Sequence, residues 1–429
     1  MNTWVTGLMT IGCLAQLTST PVYAGDLPDG SGQQEVAALC SSCHDMGPIL
    51  RSGGYSPADW RGLIRTMISL PPDTENLVAS YLGEHFPPND RRSPTLVPGP
   101  LELAFETWVV PTLGQRSRDP VEAPDGSIWW VGQWLDIVGR IDPSTGEMRE
   151  YPLPAGAKPH SVTPDANGTM WYLGNRNATI GRLNPVSGEI TEYPMPEADA
   201  KDPHTGEFDA SGRFWFTLQH SNRVGRLDPD SGEIELVKLD RPRSRPYGIK
   251  IDSEGSAWVA CNGGPCLYRL DGESMAQSRI DLPNQESHVR RLDIAADGLI
   301  WYVNSGSGRL GSYNPATAEI REWPSPSGPN SHPYAILIVD GKIWYNESGM
   351  RPDALVRFDP QDESFQSWPI PSSGLYAGIL RHMRATHDGD LLIHQSATNH
   401  IMRVSAVSYT HLTLPTRSCQ CRSRWAAGH

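Results

Sequence analysis

The stretch DGSIWWVGQWLDIVGRIDPSTGEMREYPLP, residues 125–154, describes one structural unit that the chain repeats. It contains an Asp-Gly turn, a short run of residues around Trp129, and a second turn, DPSTGE, followed by another alternating run. Glycine supplies the positive φ that tight turns need, and alternation of apolar and polar residues is typical of half-buried strands. The stretch therefore predicts short antiparallel strands joined by tight turns.

The unit recurs at a nearly constant period. Its copies are DGSIWW at 125, NGTMWY at 167, SGRFWF at 211, EGSAWV at 254, DGLIWY at 297 and DGKIWY at 340, with a seventh, DGDLLI at 388, that lacks the tryptophan. The tryptophans at 129, 171, 215, 258, 301 and 344 are therefore 42 to 44 residues apart. A repeat of this length is typical of the four-stranded blades of a β-propeller.

The seventh copy lacks an outer strand, and a matching strand is found at the other end of the array. The copy stops after HIMRV at 400–404, whereas LAFETWVVP at 103–111 reads like an outer strand and precedes the first turn. A ring closed by this strand has no free sheet edge. We predict a mainly β fold, a seven-bladed propeller over residues 101–406 closed by the strand 103–111.

Charge and targeting signals limit the partners and the location. The chain has 429 residues and a formal net charge of −13, which argues against nucleic acid and anionic membranes because both require a basic face. Residues 1–24 combine an apolar run with the small-residue site Val22-Tyr23-Ala24 and predict a signal peptide. No later segment has the roughly 20 apolar residues of a transmembrane helix. We expect an exported, periplasmic protein.

Residues 25–90 predict a small α-helical domain that carries a c-type haem. The motif is Cys40-Ser-Ser-Cys43-His44. Two thiols three positions apart reach both vinyl groups of haem, and His44 then faces the iron. A zinc site would need two further Cys or His ligands nearby, and the segment offers only His85. Over residues 30–90 the segment resembles small class I cytochromes c, which implies covalently bound haem c and a periplasmic redox partner.

The second axial ligand of the iron is predicted to be Met67. It lies in SPADWRGLIRTMISL, residues 56–70, a predicted helix with Ser56 as its N-cap. A methionine ligand raises the reduction potential relative to histidine. His85 is the alternative ligand, and a methionine that only fills the core is the alternative role of Met67.

Three further segments have their own interpretation. Residues 91–100 are Pro-rich and predict a short, stiff linker. Cys261 and Cys266 in CNGGPC predict a small disulfide in an oxidising compartment. Residues 407–429 leave the repeat register and resemble translated sequencing-adaptor read-through, so we interpret them as a non-native tail and exclude them from functional reasoning.

A common register places one residue of each blade at the start of its innermost strand, at the mouth of the central channel. These residues are Arg118, His160, His204, Tyr247, Arg290, Tyr334 and Arg381. All seven are residue types whose side chains can form hydrogen bonds, and this predicts binding of a small polar or anionic molecule. The alternative is a channel mouth that is simply solvated. A second ring, four residues after each tryptophan, is rich in amides and includes Gln219 as a further predicted ligand-binding residue.

The blade pattern, DG-x-x-W-F followed by IGR-x-D-P-x-TGE-I-x-EYP, resembles the virginiamycin B lyase (streptogramin lyase) family across the propeller. The resemblance implies a seven-bladed propeller that opens a macrocyclic lactone by elimination. It also implies a histidine as the general base and Glu residues that hold Mg²⁺ near the channel.

The family's acid-Pro-His triplet is matched by Asp202-Pro203-His204, which implies His204 as the base and Asp202 as a metal ligand. His160 occupies the equivalent position in the preceding blade and is the second candidate catalytic residue. The family's Glu is replaced here by Gln219, whereas Glu347 follows the tryptophan of a blade whose triplet ends in Tyr334. Asp202 and Glu347 are therefore the candidate ligands of Mg²⁺.

Three functional hypotheses follow. The first, which we favour, is a periplasmic electron-transfer protein in which the propeller binds a substrate or a redox partner. The second is a Mg²⁺-dependent carbon-oxygen lyase, whose redox-neutral chemistry has no use for a haem. The third is a non-catalytic binding module.

Overall fold

The structure is a computed structural model that describes residues 27–41, 46–50, 52, 54–88, 92–372 and 380–407. The chain divides into two compact units between residues 91 and 92. The predicted signal peptide, Cys43, His44 and the predicted tail beyond Val407 lie outside the described residues.

The first unit is helical. Its helices are α1 (Gln33–Cys40), α2 (Gly47–Leu50), α3 (Pro57–Arg65) and α4 (Pro72–His85). The Ser56 side chain accepts a hydrogen bond from the Asp59 amide, so Ser56 is the N-cap that the sequence predicts. Trp60 and Tyr81 are almost fully buried, and their polar atoms donate to the carbonyls of Phe86 and Pro28 at 3.2 and 2.5 Å. These contacts tie α3 to the residue that follows α4, and α4 to the segment before α1.

The second unit consists of seven four-stranded antiparallel sheets. Blade 1 contains β2 (Ser117–Glu122), β3 (Ile128–Gly132), β4 (Ile137–Ile141) and β5 (Met148–Pro152). Blade 2 contains β6 (Pro159–Pro164), β7 (Met170–Gly174), β8 (Thr179–Leu183) and β9 (Ile190–Pro194). Blade 3 contains β10 (Pro203–Phe208), β11 (Phe214–Leu218), β12 (Arg223–Leu227) and β13 (Ile234–Lys238). Blade 4 contains β14 (Pro246–Ile251), β15 (Ala257–Cys261), β16 (Cys266–Leu270) and β17 (Gln277–Asp281).

Blade 5 contains β18 (Val289–Ile294), β19 (Ile300–Asn304), β20 (Arg309–Tyr313) and β21 (Ile320–Pro324). Blade 6 contains β22 (Pro333–Val339), β23 (Lys342–Glu347), β24 (Ala354–Asp359) and β25 (Ser364–Pro369). Blade 7 contains β26 (Arg384–Ala385), β27 (Leu391–Gln395), β28 (His400–Ala406) and, as its outer strand, β1 (Leu103–Val109). β1 pairs with β28 from Leu103 opposite Ala406 to Val109 opposite His400. The predicted mainly β, seven-bladed fold is confirmed.

The repeated motifs have a packing explanation. Each tryptophan of the DG-x-x-W motif is buried, and in four blades it stacks on the aromatic residue of the outer strand. The stacked pairs are Trp129–Tyr151, Trp171–Tyr193, Trp301–Trp323 and Trp344–Trp368, with ring centroids 5.3 to 5.7 Å apart. The glycine of the IGR motif leaves room for the aromatic residue that follows the tryptophan. A Cβ on Gly181, for example, would lie 1.9 Å from the Tyr172 ring.

The segment before β1 binds to blade 6. Arg92 accepts a hydrogen bond from the Arg351 amide at 2.7 Å, and Val97 exchanges two bonds with Ser367 in β25. Further along, the Gln366 side chain donates to the Leu101 carbonyl at 2.7 Å. The predicted linker is therefore, from residue 92 onward, part of the propeller unit.

Two further expectations concern the disulfide and the membrane. Cys261 and Cys266 form the predicted disulfide, which joins the facing ends of β15 and β16. None of the described helices combines the length and hydropathy of a membrane-spanning segment.

Candidate functional site at the mouth of the propeller channel

The seven predicted channel residues lie at equivalent places in the fold. Six of them are the second residue of an innermost strand, and Arg381 lies just before β26. In blades 1 to 6 the register between the innermost strand and the next strand shifts close to this residue. Such a bulge redirects side chains, and here the side chains of different blades meet at one end of the channel.

Histidine and tyrosine side chains occupy one side of this mouth. The rings of His160 and His204 lie 3.5 Å apart by their centroids, and His204 lies 4.0 Å from Tyr247. His160 Nδ1 is 2.8 Å from the His204 carbonyl, and His204 Nδ1 is 3.0 Å from the Thr205 hydroxyl. The structure therefore brings together both candidate catalytic histidines, with Tyr247 beside them.

A pair of tyrosines links this group to the arginines. The hydroxyls of Tyr247 in blade 4 and Tyr334 in blade 6 are hydrogen-bonded to each other. The guanidinium of Arg290, from the blade between them, lies 4.8 Å from the centroid of the Tyr334 ring and 5.6 Å from that of Tyr247. Both distances are within the range of a cation–π interaction.

The second ring has a different role from the one that the sequence suggested, because several of its members hold the arginines in place. Arg118 donates to Gln133 at 2.9 Å and Arg290 donates to the Ser305 hydroxyl at 3.2 Å. Arg381 makes the equivalent bond to Ser396 at 3.2 Å. Gln219 directly follows β11 and is half-buried.

Three further buried residues of the site directly follow ring members and were not predicted from the sequence: Asp119, Arg291 and His382. The Asp119 carboxylate is fully buried and lies 3.4 Å from Arg118, 3.9 Å from Arg291 and 3.2 Å from His382. Arg291, which starts in blade 5, also donates to the Arg381 carbonyl at 2.6 Å. Its side chain thus crosses to blades 1 and 7. The signal in the sequence is an ionisable residue directly after the ring member in blades 1, 5 and 7. This signal indicates a buried site only when the position of the bulge is known.

Arg116 is a further missed residue at this mouth. It has a left-handed backbone, and its guanidinium lies 4.9 Å from the centroid of the Trp134 ring. Burial, with Arg381 and Arg118 nearby, holds its pKa well below the ordinary value. Within the described residues, neither Arg116 nor Arg290 forms an ion pair with a carboxylate, whereas Arg118 and Arg291 share Asp119. The mouth therefore carries an excess of positive charge.

Two buried guanidinium nitrogens at this site have no hydrogen-bond partner in the described part of the chain. They are Nη2 of Arg118 and Nη2 of Arg291, whose side chains are 2% and 3% exposed. A buried donor without a partner is costly, so such groups usually have a partner that the protein itself does not supply. An oxyanion is the chemical complement of these donors.

Burial and neighbouring charges shift the pKa values of the titratable groups of the site. Burial lowers the pKa of both His160 and His204 well below the ordinary value, and nearby arginines lower it further, so both imidazoles are neutral. Burial would raise the pKa of Asp119, but Arg118, His382 and Arg291 outweigh it and hold that pKa well below the usual range. Burial would likewise raise the pKa of Tyr334, yet Arg290, Arg381 and the hydrogen bond from Tyr247 lower it to about 8.

The candidate magnesium ligands have other partners. Asp202 accepts a hydrogen bond from Asn175 and lies 2.5 Å from His220 Nδ1. Glu347 is fully buried and accepts bonds from the Ser325 hydroxyl and the Ser327 amide at 2.6 and 2.8 Å. In the described residues no group of three or more His, Cys, Asp or Glu side chains is arranged to hold a metal ion. Both carboxylates thus have hydrogen-bond partners within the protein, and Mg²⁺ stays a prediction.

The predicted haem ligands are only partly within the described residues. Cys40 is the last residue of α1 and is half-buried, and the motif lies outside the described part from residue 42 onward. Met67 is half-buried in the turn that follows α3, where its amide donates to the Ile64 carbonyl at 2.9 Å. His85, the alternative ligand, ends α4, and its ring lies 4.5 Å from that of Tyr81.

Comparison with known proteins shows which family and which solved structures the propeller resembles. Residues 104–270 match the model of the virginiamycin B lyase family. The selenomethionine-substituted virginiamycin B lyase from Staphylococcus aureus has a TM-score of 0.65 and 23% identity, over 71% of this chain and 100% of that chain. A catalytically inactive variant of that enzyme, solved with quinupristin, has a TM-score of 0.64 and 23% identity over the same shares. None of the curated proteins compared with the chain matches it.

More distant propellers share the fold alone. The WD40 propeller domain of Doa1 has a TM-score of 0.55 and 12% identity, over 70% of this chain and 97% of that chain. The chain therefore belongs to the class of seven-bladed β-propeller proteins. Its propeller is virginiamycin B lyase-like.

Proposed function

We propose that the protein is an exported c-type haem protein that transfers electrons, and that its propeller binds an anionic substrate or redox partner at the arginine-lined mouth of the channel. The observation that carries the proposal is the excess of buried guanidinium groups over carboxylates at that mouth, where Nη2 of Arg118 and Nη2 of Arg291 have no hydrogen-bond partner among the described residues. Buried charges need compensation, and an anionic ligand supplies it.

The haem part of the proposal is supported by the donor set. Two thiols and an imidazole within five residues are the chemistry that attaches haem c, and Cys40 stands at the end of a helix. When bound, the haem would be held by Cys40, Cys43, His44 and Met67 and would supply one-electron chemistry. The remaining helices offer a small core, with Trp60, Val78 and Leu82 almost fully buried. A small domain of this kind is usually stabilised by such a covalent group.

The ligand is tested by calorimetric titration of the full chain with citrate, as a carboxylate probe. Arg118→Gln should weaken binding at least tenfold, because it removes a charged donor with a buried, unpartnered nitrogen. Arg140→Gln is the matched control, since Arg140 lies in the third strand of the same blade and pairs with an exposed Asp125. Citrate binding of equal strength in all three proteins would contradict the proposal.

The haem is tested by expression together with a c-type haem maturation system. The protein should gain the mass of one haem and show the absorption bands of a c-type cytochrome. The double substitution Cys40→Ala/Cys43→Ala should abolish both. An unchanged mass in the wild-type protein would remove the electron-transfer function and leave a ligand-binding propeller.

A lyase is the second candidate, and the virginiamycin B lyase-like fold is the observation that favours it. His204 would be the base by resemblance, and it is buried, neutral and next to His160. The test is incubation with a streptogramin B lactone and Mg²⁺, with and without chelator, read by liquid chromatography and mass spectrometry. A chelator-sensitive linear isomer of unchanged mass would establish this function, whereas an intact lactone would leave the first proposal.

A further inference from the structure

We propose that the anion bound at the channel mouth is a linear dicarboxylate, with one carboxylate held by an inner layer of donors and the other by an outer layer. The residues of the inner layer are buried, and those of the outer layer are half-buried. The inner layer consists of Arg118, Arg291 and His394, and the outer layer consists of Arg116, Arg290 and Arg381. This ligand class rests on the anionic ligand proposed above, and it requires neither the haem nor a metal ion.

His394 adds a neutral donor to the two buried arginines of the inner layer. Its Nε2 accepts a hydrogen bond from the Arg381 amide at 3.1 Å, so the neutral ring carries its proton on Nδ1. Burial lowers the pKa of His394 well below the ordinary value, and nearby arginines lower it further, so the ring is neutral. Like Nη2 of Arg118 and Nη2 of Arg291, its Nδ1 is buried without a hydrogen-bond partner in the described part of the chain. The inner layer thus presents three buried N–H donors for which the described residues supply no acceptor.

The charge of the inner layer matches a single carboxylate. Among the described residues, the carboxylate that pairs with its arginines is Asp119, which lies 3.4 Å from Arg118 and 3.9 Å from Arg291. His382 beside it is neutral, because burial holds its pKa well below the ordinary value. Two guanidinium charges against one carboxylate leave one positive charge, and Asp119 would repel a group that brings two negative charges. A singly charged, planar carboxylate meets both conditions and accepts hydrogen bonds from guanidinium groups in good geometry.

The outer layer offers a second, separate place for negative charge. Arg290 and Arg381 each donate to a serine hydroxyl at 3.2 Å, and Arg116 stacks on an indole ring. These partners are uncharged, and within the described residues neither Arg116 nor Arg290 forms an ion pair with a carboxylate. A monocarboxylate in the inner layer leaves these charges uncompensated, whereas a second carboxylate on the same ligand neutralises part of them.

The ring of Tyr247 relates the two layers in space. The guanidinium carbons of Arg290, in the outer layer, and Arg291, in the inner layer, each lie 5.6 Å from its centroid. The register shift between Val289 and Arg291 allows these consecutive residues of one strand both to reach the channel. The two guanidinium groups are no farther apart than twice the distance to the ring. A carboxylate bound to each of them therefore needs only a short carbon chain in between.

The first test compares three four-carbon probes, fumarate, maleate and crotonate, by calorimetric titration of the full chain at pH 7.5 and constant ionic strength. Fumarate and maleate carry the same two charges, but the carboxylates of maleate lie on the same side of the double bond. Crotonate has the shape of fumarate with a methyl group in place of one carboxylate. Fumarate should bind at least tenfold more tightly than either, because it alone places a carboxylate in both layers. Equal affinity for fumarate and maleate, or for fumarate and crotonate, would overturn the inference.

The second test separates the two layers. Arg290→Gln should weaken fumarate binding at least tenfold and crotonate binding less than threefold, since crotonate uses only the inner layer. The matched control is Arg321→Gln, which removes a half-exposed charge from the outer strand of the same blade and should leave both affinities unchanged. A loss of the same size for both probes in Arg290→Gln, or a loss for neither, would contradict the assignment of the layers.

The citrate titration described above distinguishes failure of the dicarboxylate from failure of the proposed function. Citrate and crotonate that bind while fumarate shows no preference would leave the anionic site in place and remove only the dicarboxylate as its ligand. Absence of binding by citrate and by all three probes would remove both.

Discussion

Asp119 is a fully buried acid, and its partners explain why the fold tolerates it. Arg118, Arg291 and His382 all lie within 4 Å of its carboxylate. A buried charge of this kind is stable only when it is paired, and removal of one partner leaves the others uncompensated. Asp119 is thus the counterion that allows arginines to be packed at the channel mouth.

Asp119→Asn should destabilise the propeller by about 3–5 kcal/mol, because it leaves two buried guanidinium groups without their carboxylate. Urea unfolding followed by tryptophan fluorescence measures the change. The control is Asp125→Asn, since Asp125 is 60% exposed and its ion pair with Arg140 should contribute less than about 1 kcal/mol. A loss for Asp119→Asn no larger than that of the control would show that the cluster is not a stabilising unit.

The buried histidines predict a loss of stability on mild acidification. Burial lowers the pKa of His160, His204, His382 and His394 below the ordinary value. Below about pH 6.5 the unfolded chain therefore binds protons that the folded protein does not, and the free energy of unfolding should fall by up to about 1.4 kcal/mol per pH unit for each histidine. Unfolding at pH 7.5 and 5.5 measures this, and His394→Gln should reduce the slope. Equal stability at both pH values would contradict the burial of neutral imidazoles.

Asp119 changes the free energy of unfolding only at a lower pH than the histidines do. Its folded pKa is depressed, so its contribution is complete above the unfolded pKa of about 3.9 and is lost only as the pH falls further. The histidine effect between pH 7.5 and 5.5 is therefore separate from it.

At the scale of the element, the turn between the first two strands of a blade holds the tryptophan that follows it. In three blades an aspartate six residues before the tryptophan accepts the indole N–H. These pairs are Asp165–Trp171, Asp209–Trp215 and Asp252–Trp258, at 2.8 to 3.1 Å. In blade 1 the Ser127 hydroxyl takes this role at 2.8 Å. The turn and the blade core are thus stabilised together.

Asp209→Ala should destabilise the propeller by about 2–4 kcal/mol. Asp209 is 7% exposed and accepts bonds from the Trp215 indole, the Arg213 side chain and two turn amides, all at 2.9 to 3.0 Å, so its loss leaves the buried indole and three partly buried donors unpaired. Thermal and urea unfolding measure this. Asp228→Ala, in the exposed turn of the same blade, removes two turn bonds without a buried donor and should have a clearly smaller effect. Equal losses would assign the effect to turn geometry alone.

At the scale of the whole molecule, the first strand of the propeller completes its last blade. β1 is the outer strand of blade 7, and β28 beside it is among the last described residues of the chain. The preceding segment is hydrogen-bonded along blade 6 through Val97 and Leu101. Contacts far apart in sequence therefore hold the ring closed.

Deletion of residues 102–109 should expose the edge of β28 and lower the thermal stability of the propeller by at least several degrees. Size-exclusion chromatography and calorimetry measure association and melting. A control with Glu106→Gln keeps the strand and loses only its partly exposed ion pair with Arg403. Unchanged melting after the deletion would show that the ring does not depend on this closure.

The fold was predictable from the sequence, because each feature of the repeat reflects residues that are close together in the chain. The 42 to 44 residue period, the turn glycines and the strand at 103–111 each reflect short-range geometry or a sheet edge that must be paired. The shared register also placed one polar residue of every blade, such as His204 and Tyr334, at the same mouth. Ser56 and the Cys261–Cys266 disulfide were predictable for the same local reason.

Which of these residues are in contact follows from the folding of the ring and was not predictable from the sequence. The Tyr247–Tyr334 hydrogen bond joins residues 87 positions apart, and Asp119 meets His382 across 263 positions. Bulges at the starts of the innermost strands turn Asp119 and Arg291 into the channel, and no period in the sequence predicts that turn. The pKa values of the site depend on burial and on charges from several blades, so they follow from the closed ring and not from any one repeat.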